Sequence, residues 1–202
     1  MINKDSTRTH NDMRNNIVSI ASNVFEKFGF KKTTVDDIAQ ALRKGKSSIY
    51  YYFKSKEDIF KAVVEKEADA HRAEINRIME SNLNTIEKLK SYVKARMLAV
   101  KVMANYYTLI RNNDVSNLDL IEKLRAKYDT EELSIIKRLL NEGMDNGLFK
   151  VKDIELSSIA LLTAMKGLEF PLFIDSPKAD NLDKILDDML DILFYGLVIR
   201  KA

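Results

Sequence analysis

The fold of this chain is decided by the segment from Thr33 to Phe60, which reads TTVDDIAQALRKGKSSIYYYFKSKEDIF. Thr34 stands where a helix N-cap belongs, and Asp37 supplies the carboxylate of a capping box three residues later. The short helix that follows is interrupted at a basic turn containing Gly45, and a second short helix comes after the turn. Two short helices joined by a four-residue turn with a glycine are typical of a helix-turn-helix, which we place at about residues 34–53.

The second of these helices, predicted over residues 47–53, has an apolar side and a polar side. Ile49 and Phe53 recur at helical spacing, so we expect them to be buried against neighbouring helices. Tyr52 is also expected to pack rather than to stay free. The opposite side carries hydroxyl, phenol and ammonium groups, which are the groups that contact base edges and phosphates in the major groove.

Charge is distributed unevenly along the chain. Residues 1–66 hold thirteen basic and eight acidic side chains, a net charge of +5, whereas the remaining 136 residues hold twenty and twenty-two, a net charge of −2. Between positions 43 and 56 there is no acid, and the five basic residues are Arg43, Lys44, Lys46, Lys54 and Lys56. This patch is the electrostatic pattern of a surface that contacts nucleic-acid phosphates, although a solvated charged face is the alternative reading of such a run.

The rest of the chain predicts helices alone. Only two prolines and six glycines occur in 202 residues, and no segment alternates apolar and polar residues at the period of a strand. The other predicted helices lie at about 12–28, 56–79, 85–112, 117–128, 130–146, 154–170 and 181–200. Gly29 and Gly147 are predicted C-caps, Asp153 is a predicted N-cap, and Pro171 is expected to end a helix.

The fold class predicted from these patterns is all-α. We expect a three-helix N-terminal head that contains the helix-turn-helix and a larger C-terminal helical body, with about nine helices in total. The change in charge near residue 66 and the change from short to long helices place the boundary there. We assign residues 10–70 to the head and residues 71–202 to the body.

Several classes of protein are disfavoured by what the sequence lacks. It contains no cysteine and only two histidines, and no P-loop, glycine-rich dinucleotide fingerprint or metalloprotease motif is present. No cofactor or metal is therefore predicted, and an all-α enzyme is a weak alternative. The N-terminus has no apolar signal region and no segment is long enough to span a membrane, so a soluble cytoplasmic protein is expected.

The segments from Thr33 to Ala39 and from Ser48 to Phe60 resemble the N-terminal signature of TetR-type (tetracycline-repressor-like) regulators, and the segment from Ala21 to Phe30 matches the first helix of that family. The resemblance covers about residues 13–64. It implies a homodimeric repressor that binds a double-stranded, palindromic DNA operator and is released by a small-molecule effector. The alternative is an interaction or adaptor module whose helix-turn-helix no longer binds DNA.

The resemblance also implies roles for particular residues at the DNA. Thr34 would cap its helix against a phosphate, the start of the second helix would lie over base edges, and phenols would reach phosphates. The DNA-binding residues predicted in this way are Thr34, Arg43, Lys44, Lys46, Ser47, Ser48, Tyr50, Tyr51 and Lys56. The turn Arg43-Lys44-Gly45 departs from the Gly-Val-Ser usual in the family. Either Arg43 adopts the left-handed backbone that glycine favours, or Gly45 shifts the turn by one residue.

For the body, the resemblance implies an effector pocket and a dimer formed by the last two helices. Methionine fills irregular apolar cavities, and with neighbouring aromatic residues it suggests a mostly apolar pocket for a hydrophobic effector. The predicted pocket residues are Met97, Met103, Tyr106, Tyr107, Met144, Met165 and Phe170. The predicted dimer residues are Leu156, Ile159, Leu162, Leu182, Ile185, Met189, Leu193 and Leu197. For both sets, ordinary core packing is the alternative.

Overall fold

The computed structural model describes residues 4–103, 105–106, 108, 118–169 and 182–195. This part of the chain contains eight named helices and no strand, so the all-α prediction is confirmed. The helices are α1 (Lys4–Phe28), α2 (Val35–Ala41), α3 (Lys46–Tyr50), α4 (Lys56–Glu80), α5 (Thr85–Val102), α6 (Leu118–Asp145), α7 (Ile154–Glu169) and α8 (Leu182–Tyr195). Within these described residues, no helix is long and apolar enough to cross a membrane.

The observed helix boundaries differ from the predicted ones in two places that matter for function. Helix α1 begins at Lys4 rather than at about residue 12, which extends it at its N-terminal end. Helix α6 is continuous where two helices were predicted, at 117–128 and 130–146. Neither glycine nor proline lies at the expected break, so the helix continues, and the hydroxyl of Thr130 donates to the carbonyl of Ala126 one turn earlier.

The chain divides into two compact units. The first unit contains Met1–Arg72 and Lys101–Ile121, and the second contains Ala73–Val100 and Glu122–Ala202. The segment Lys101–Ile121 thus belongs to the first unit, whereas the sequence predicts it in the body. The functional assignment of residues 10–70 and 71–202 stays a prediction.

Aromatic packing holds the first unit together. The rings of Phe25, Phe30 and Phe60 lie mutually within 5.8 Å between centroids, so α1, the segment after it and α4 share one core. Gly29 ends α1 with φ of +77°, and its N–H donates to the carbonyl of Phe25 at 2.7 Å. The predicted C-cap at Gly29 is therefore confirmed, and it turns Phe30 back onto the core.

The capping box predicted for α2 is present in full. The N–H of Asp37 donates to the Thr34 hydroxyl at 3.2 Å, and the N–H of Thr34 donates to the Asp37 carboxylate at 2.8 Å. The Thr34 hydroxyl also donates to the Asp37 carboxylate at 2.7 Å, and this bond together with the one from the Thr34 N–H lowers the pKa of Asp37, because both favour its charged form. The start of the helix-turn-helix is thus fixed by residues three positions apart.

The turn between α2 and α3 is a Schellman motif with arginine at the glycine position. The N–H of Lys44 donates to the carbonyl of Ala39, and the N–H of Arg43 donates to that of Gln40, both at 3.0 Å. Arg43 has φ of +54°, whereas Gly45 has an ordinary φ of −76°. Of the two alternatives for this turn, Arg43 therefore takes the left-handed position.

Replacing Arg43 by Gly is expected to raise the free energy of unfolding by about 0.5–1 kcal/mol. An L-residue in the left-handed region costs about 1–2 kcal/mol, and the greater freedom of glycine in the unfolded chain offsets part of the gain. Urea unfolding of Arg43→Gly and of the neighbouring control Lys44→Gly measures the difference. Equal destabilisation by both substitutions would show that Arg43 carries no strain.

The second unit has its own apolar core and a buried ion pair. The core comprises Ile75, Ile78, Met79, Leu89, Tyr92, Val93, Met97, Ile136, Leu139, Leu140, Leu162, Met165, Leu186 and Leu190. Arg96 of α5 is 3 % exposed, and its Nε lies 3.0 Å from the carboxylate of Glu132 in α6, with a second contact from NH2 at 3.2 Å. Burial raises the pKa of Glu132, and the charge of Arg96 opposes that shift.

The C-terminal helices of this unit, α6 to α8, are fixed by caps at helix ends and by ion pairs at the surface. Gly147 ends α6 with φ of +69°, and the Asp153 carboxylate accepts the N–H of Leu156 at 3.0 Å, so both predicted caps are confirmed. Lys90 and Lys94 of α5 pair with aspartates of α8 at 3.2 and 2.6 Å. The predicted helix end at Pro171 lies outside the described residues.

Candidate nucleic-acid interface

Helix α3 is a short rod with a buried underside and an exposed outer side. Ile49 is fully buried, and Phe53 is nearly so although α3 ends at Tyr50 and not at the predicted residue 53; the predicted burial of both side chains is confirmed. The outer side exposes the predicted DNA-binding residues of this helix, Lys46, Ser47, Ser48, Tyr50 and Tyr51. Because the rod is only five residues long, its orientation depends on the contacts made beneath it and at its two ends.

At the C-terminal end of α3, aromatic residues pack against the extended part of α1. The His10 ring lies 5.6 Å from the ring of Tyr51 and 4.6 Å from that of Tyr52, and the two tyrosine rings are 4.9 Å apart. Tyr51 nevertheless remains 72 % exposed. His10 was not among the predicted site residues, because the sequence predicts the start of the first helix after it, whereas α1 begins at Lys4.

At the N-terminal end of α3, Lys46 forms an ion pair with α2. Its Nζ lies 2.7 Å from the carboxylate of Asp36, and both side chains are exposed to solvent. The hydrogen bond from Lys46 to Asp36 raises the pKa of Lys46. The fold therefore brings an acid onto a patch that is free of acids in the sequence.

Two other predicted DNA contacts are engaged within the protein. Lys56 donates to the carbonyl of Phe30 at 2.9 Å, and its Nζ lies 4.4 Å from the Phe30 ring centroid. Both Thr34 donors, the N–H and the hydroxyl, go to the Asp37 carboxylate. A phosphate at either residue would have to share these donors, and the DNA-binding roles of Thr34 and Lys56 stay predictions.

The remaining basic residues of the patch point to solvent. Arg43, Lys44 and Lys54 are exposed, and none of them forms an ion pair within the described part of the chain. Their cationic groups lie beside α3, and no acid in the described residues pairs with them in place of a phosphate. Their positions at the turn and just after α3 place positive charge at both ends of the rod, which suits a duplex with phosphates on either side of its groove.

The structure places the predicted pocket residues in both units. Met97 and Met165 line an apolar cavity of about 250 Å³ between α5, α7 and α8 in the second unit. Met103 and Tyr106 are buried but belong to the first unit, and Met144 is exposed near the end of α6. Tyr107 and Phe170 lie outside the described residues.

Asn105, a buried polar residue that follows α5, has a structural role in the first unit. The Asn105 amide donates to the carboxylate of Glu67 at 2.7 Å and to the hydroxyl of Ser22 at 3.2 Å. The Tyr106 N–H also reaches Glu67. Burial raises the pKa of Glu67, and these hydrogen bonds oppose the shift. The contacts bind the segment after α5 to α1 and α4.

Helix α7 presents an uncharged face to solvent. The exposed residues of this face recur at helical spacing and are Leu156, Ile159, Ala160, Thr163, Ala164 and Gly167. Leu162, which was predicted as a dimer residue, lies instead on the buried side of α7, in the core of the second unit, where it packs with residues of the other helices. On α8, Leu193 is exposed, and Ile185 and Met189 are half-buried. Leu197 and the side chain of Leu182 lie outside the described residues.

Comparison with known proteins identifies this architecture. Residues 17–63 match the family model for bacterial regulatory proteins of the tetR family. The uncharacterized HTH-type transcriptional regulator YhgD of Bacillus subtilis (strain 168) is 25 % identical over 170 residues, which cover 84 % of this chain and 89 % of YhgD.

Solved structures agree with this comparison. A Clostridium perfringens protein described as a fatty acid metabolism regulator superposes with a TM-score of 0.71 at 27 % identity, covering 91 % of this chain and 99 % of that one. The fold is also that of the regulator FadR from Bacillus subtilis in complex with stearoyl-CoA, at a TM-score of 0.70, 24 % identity and coverage of 92 % and 99 %. Residues 17–63 thus match the tetR family, and over most of its length the chain is similar to helix-turn-helix transcriptional regulators.

Proposed function

We propose that this chain is a TetR-type transcriptional regulator, a homodimeric repressor that binds a palindromic DNA operator through α3 and leaves it when a small molecule binds. Residues 10–70 would form the DNA-binding domain and residues 71–202 the effector-binding and dimerisation domain, in the cytoplasm where the operator lies. The observation that carries the proposal is α3 itself, with Ile49 buried beneath it and hydroxyl, phenol and ammonium groups exposed above it.

The chemistry of α3 suits the major groove. An α-helix fits that groove, where base edges expose hydrogen-bond donors and acceptors to hydroxyl and ammonium groups. Ser47, Ser48 and Lys46 at the start of α3 would reach base edges. Tyr50 and Tyr51 at its other end, with Arg43 and Lys44 in the turn, would contact phosphates.

A dimer is supported by the uncharged face of α7. Leu156 is 65 % exposed, and leucine and isoleucine on a continuous helical face lose water-exposed area when a second copy covers them. Small residues between them allow two helices to approach closely. A two-fold dimer would set two copies of α3 about one DNA turn apart, on the order of 34–36 Å, and would require a palindromic operator.

For the effector, we propose a molecule with an apolar chain, specifically a fatty acyl thioester. The cavity that Met97 and Met165 line is apolar, and methionine adapts to flexible chains. A stearoyl-CoA complex is known for FadR of Bacillus subtilis, which has the same fold. An acyl thioester that binds the DNA-free conformation more tightly would shift the population away from the operator.

Salt dependence tests DNA binding and separates it from an adaptor role. Log Kd for duplex DNA is expected to change linearly with log salt concentration, and Lys44→Ala should weaken binding to all duplexes and flatten the slope by about one unit. Fluorescence anisotropy measures both quantities. Lys152→Ala, an exposed lysine of the second unit, is the control and should leave the slope unchanged. Binding that ignores salt, or no duplex binding, would favour the adaptor.

Operator release tests the effector. Stearoyl-CoA added to the complex with a selected operator is expected to raise the apparent Kd, whereas free coenzyme A should not, because it lacks the apolar chain. Substituting Met97 or Met165 by Phe keeps the core apolar but makes the cavity narrower and stiffer, and should weaken the response while the protein still binds DNA. Release by free coenzyme A alone, or no release by acyl thioesters of any chain length, would contradict the acyl assignment.

A further inference from the structure

The ion pair between Asp36 and Lys46 lies on the side of the helix-turn-helix that is open to solvent. Asp36 belongs to α2 and Lys46 is the first residue of α3, so the pair joins the two helices at 2.7 Å. Exposed pairs of this kind contribute little to folding, because solvent screens them and both side chains lose freedom. Because the pair adds little to folding stability, we looked for its role at the DNA-facing side on which it lies.

The two adjacent acids of α2 have separate tasks. Asp37 is committed to the capping box, where it accepts both donors of Thr34. Asp36 takes no part in the cap and projects toward Lys46. An aspartate beside the leading end of α3 would be repelled by DNA phosphates, so a site that only bound the backbone would be better without it.

A base pair can satisfy both members of the pair. In the major groove a G·C pair presents the guanine N7 and O6 acceptors next to the N4–H₂ donor of cytosine. A lysine ammonium donates to the guanine acceptors, and a carboxylate accepts from the cytosine amino group. The spacing of Asp36 and Lys46 provides one donor and one acceptor side by side.

We propose that Asp36 and Lys46 together read one G·C base pair in each half-site, which makes Asp36 a specificity-determining residue. This inference rests on the proposed insertion of α3 into the major groove. Asp36 also withholds the Lys46 charge from phosphates in non-specific complexes, because the ammonium is already paired. Removal of the carboxylate should therefore both relax the sequence preference and strengthen binding to unrelated duplexes.

Selection from a random duplex pool tests the proposal with four proteins: wild type, Asp36→Asn, Lys46→Met and the double variant. The wild-type motif should contain one G·C pair per half-site that both single variants lose, with a discrimination of about ten-fold falling toward one. The double variant should lose no more than either single variant, because the two residues read one base pair.

Binding to a duplex without the motif gives an independent readout. Asp36→Asn should bind it more tightly than wild type, with a salt slope steeper by up to about one unit. Asp12→Asn removes an exposed carboxylate from α1 of the same unit and serves as the control for general charge effects. Thermal unfolding of Asp36→Asn should match wild type.

The possible outcomes separate the inference from the proposed function. An unchanged motif in Asp36→Asn, or a relaxed position that is A·T in wild type, would overturn the reading of G·C by this pair. A pool in which wild type selects no motif would overturn the proposed function as well. Loss of the same G·C position in both single variants would support the pair as one reading unit.

Discussion

Substituting Ile159 by Glu is expected to convert the dimer into a monomer and to weaken operator binding by about a thousand-fold or more. In a two-fold dimer the same patch meets itself, so one substitution introduces two carboxylates into one apolar contact. The free-energy cost of burying an unpaired carboxylate is far larger than the free energy that the apolar contact contributes to dimerisation. A single head then retains only non-specific affinity, which is typically 10³–10⁷ weaker than specific affinity.

Sedimentation and operator binding measured on the same samples check this prediction. The variant should sediment with the mass of one 23.2 kDa chain at micromolar concentration, whereas wild type should have twice that mass. Ser134→Glu places the same charge at an exposed position of α6, outside the α7 face, and should remain dimeric. A dimeric Ile159→Glu protein with wild-type operator affinity would exclude α7 from the dimer contact.

Substituting Glu132 by Leu is expected to lower the free energy of unfolding by about 3–5 kcal/mol, because it removes the carboxylate that Arg96 contacts twice inside the second unit. A guanidinium stays charged at any relevant pH, so the buried cation loses its counter-charge. The opposite substitution, Arg96→Met, should cost less, since Glu132 can take up a proton. The double variant should recover much of the loss.

The pH dependence of Arg96→Met follows from the raised pKa of Glu132. Burial favours the neutral carboxyl, so between the ordinary glutamate pKa and the raised one the folded chain holds a proton that the unfolded chain has lost. Stability contributed by that proton is present at low pH and is lost as the pH rises through this window. Urea unfolding of Arg96→Met should show this decline more strongly than wild type, and the double variant should not show it. A flat profile in Arg96→Met would contradict a buried, protonated Glu132.

Features set by residues close in the chain were predicted from the sequence. The capping box of Thr34 and Asp37, the glycine caps and the burial of Ile49 each depend on spacings of a few residues, and the structure confirms them. For the turn, the sequence allowed two geometries, a left-handed Arg43 or a shift of the turn to Gly45, and the structure has the left-handed Arg43. Local stereochemistry decides such features before tertiary packing acts.

Features that join distant residues were not predicted. The pairs of Asp36 with Lys46 and of Arg96 with Glu132 form only when separate helices pack, and no sequence pattern marks them. The face on which Leu162 lies was misassigned for a related reason. Helix α7 carries apolar residues on both its buried and its exposed sides, so its sequence alone does not distinguish them, and packing against α5 and α8 decides which side is buried.

Methylation interference on a selected operator tests the insertion of α3 into the major groove most directly. Methyl groups at guanine N7 lie in that groove and block a helix from entering it. We expect interference at guanines in two clusters about 10–10.5 base pairs apart, one for each α3 of the dimer. Interference confined to adenine N3 in the minor groove, or its absence throughout the bound site, would contradict the placement of α3 in the major groove.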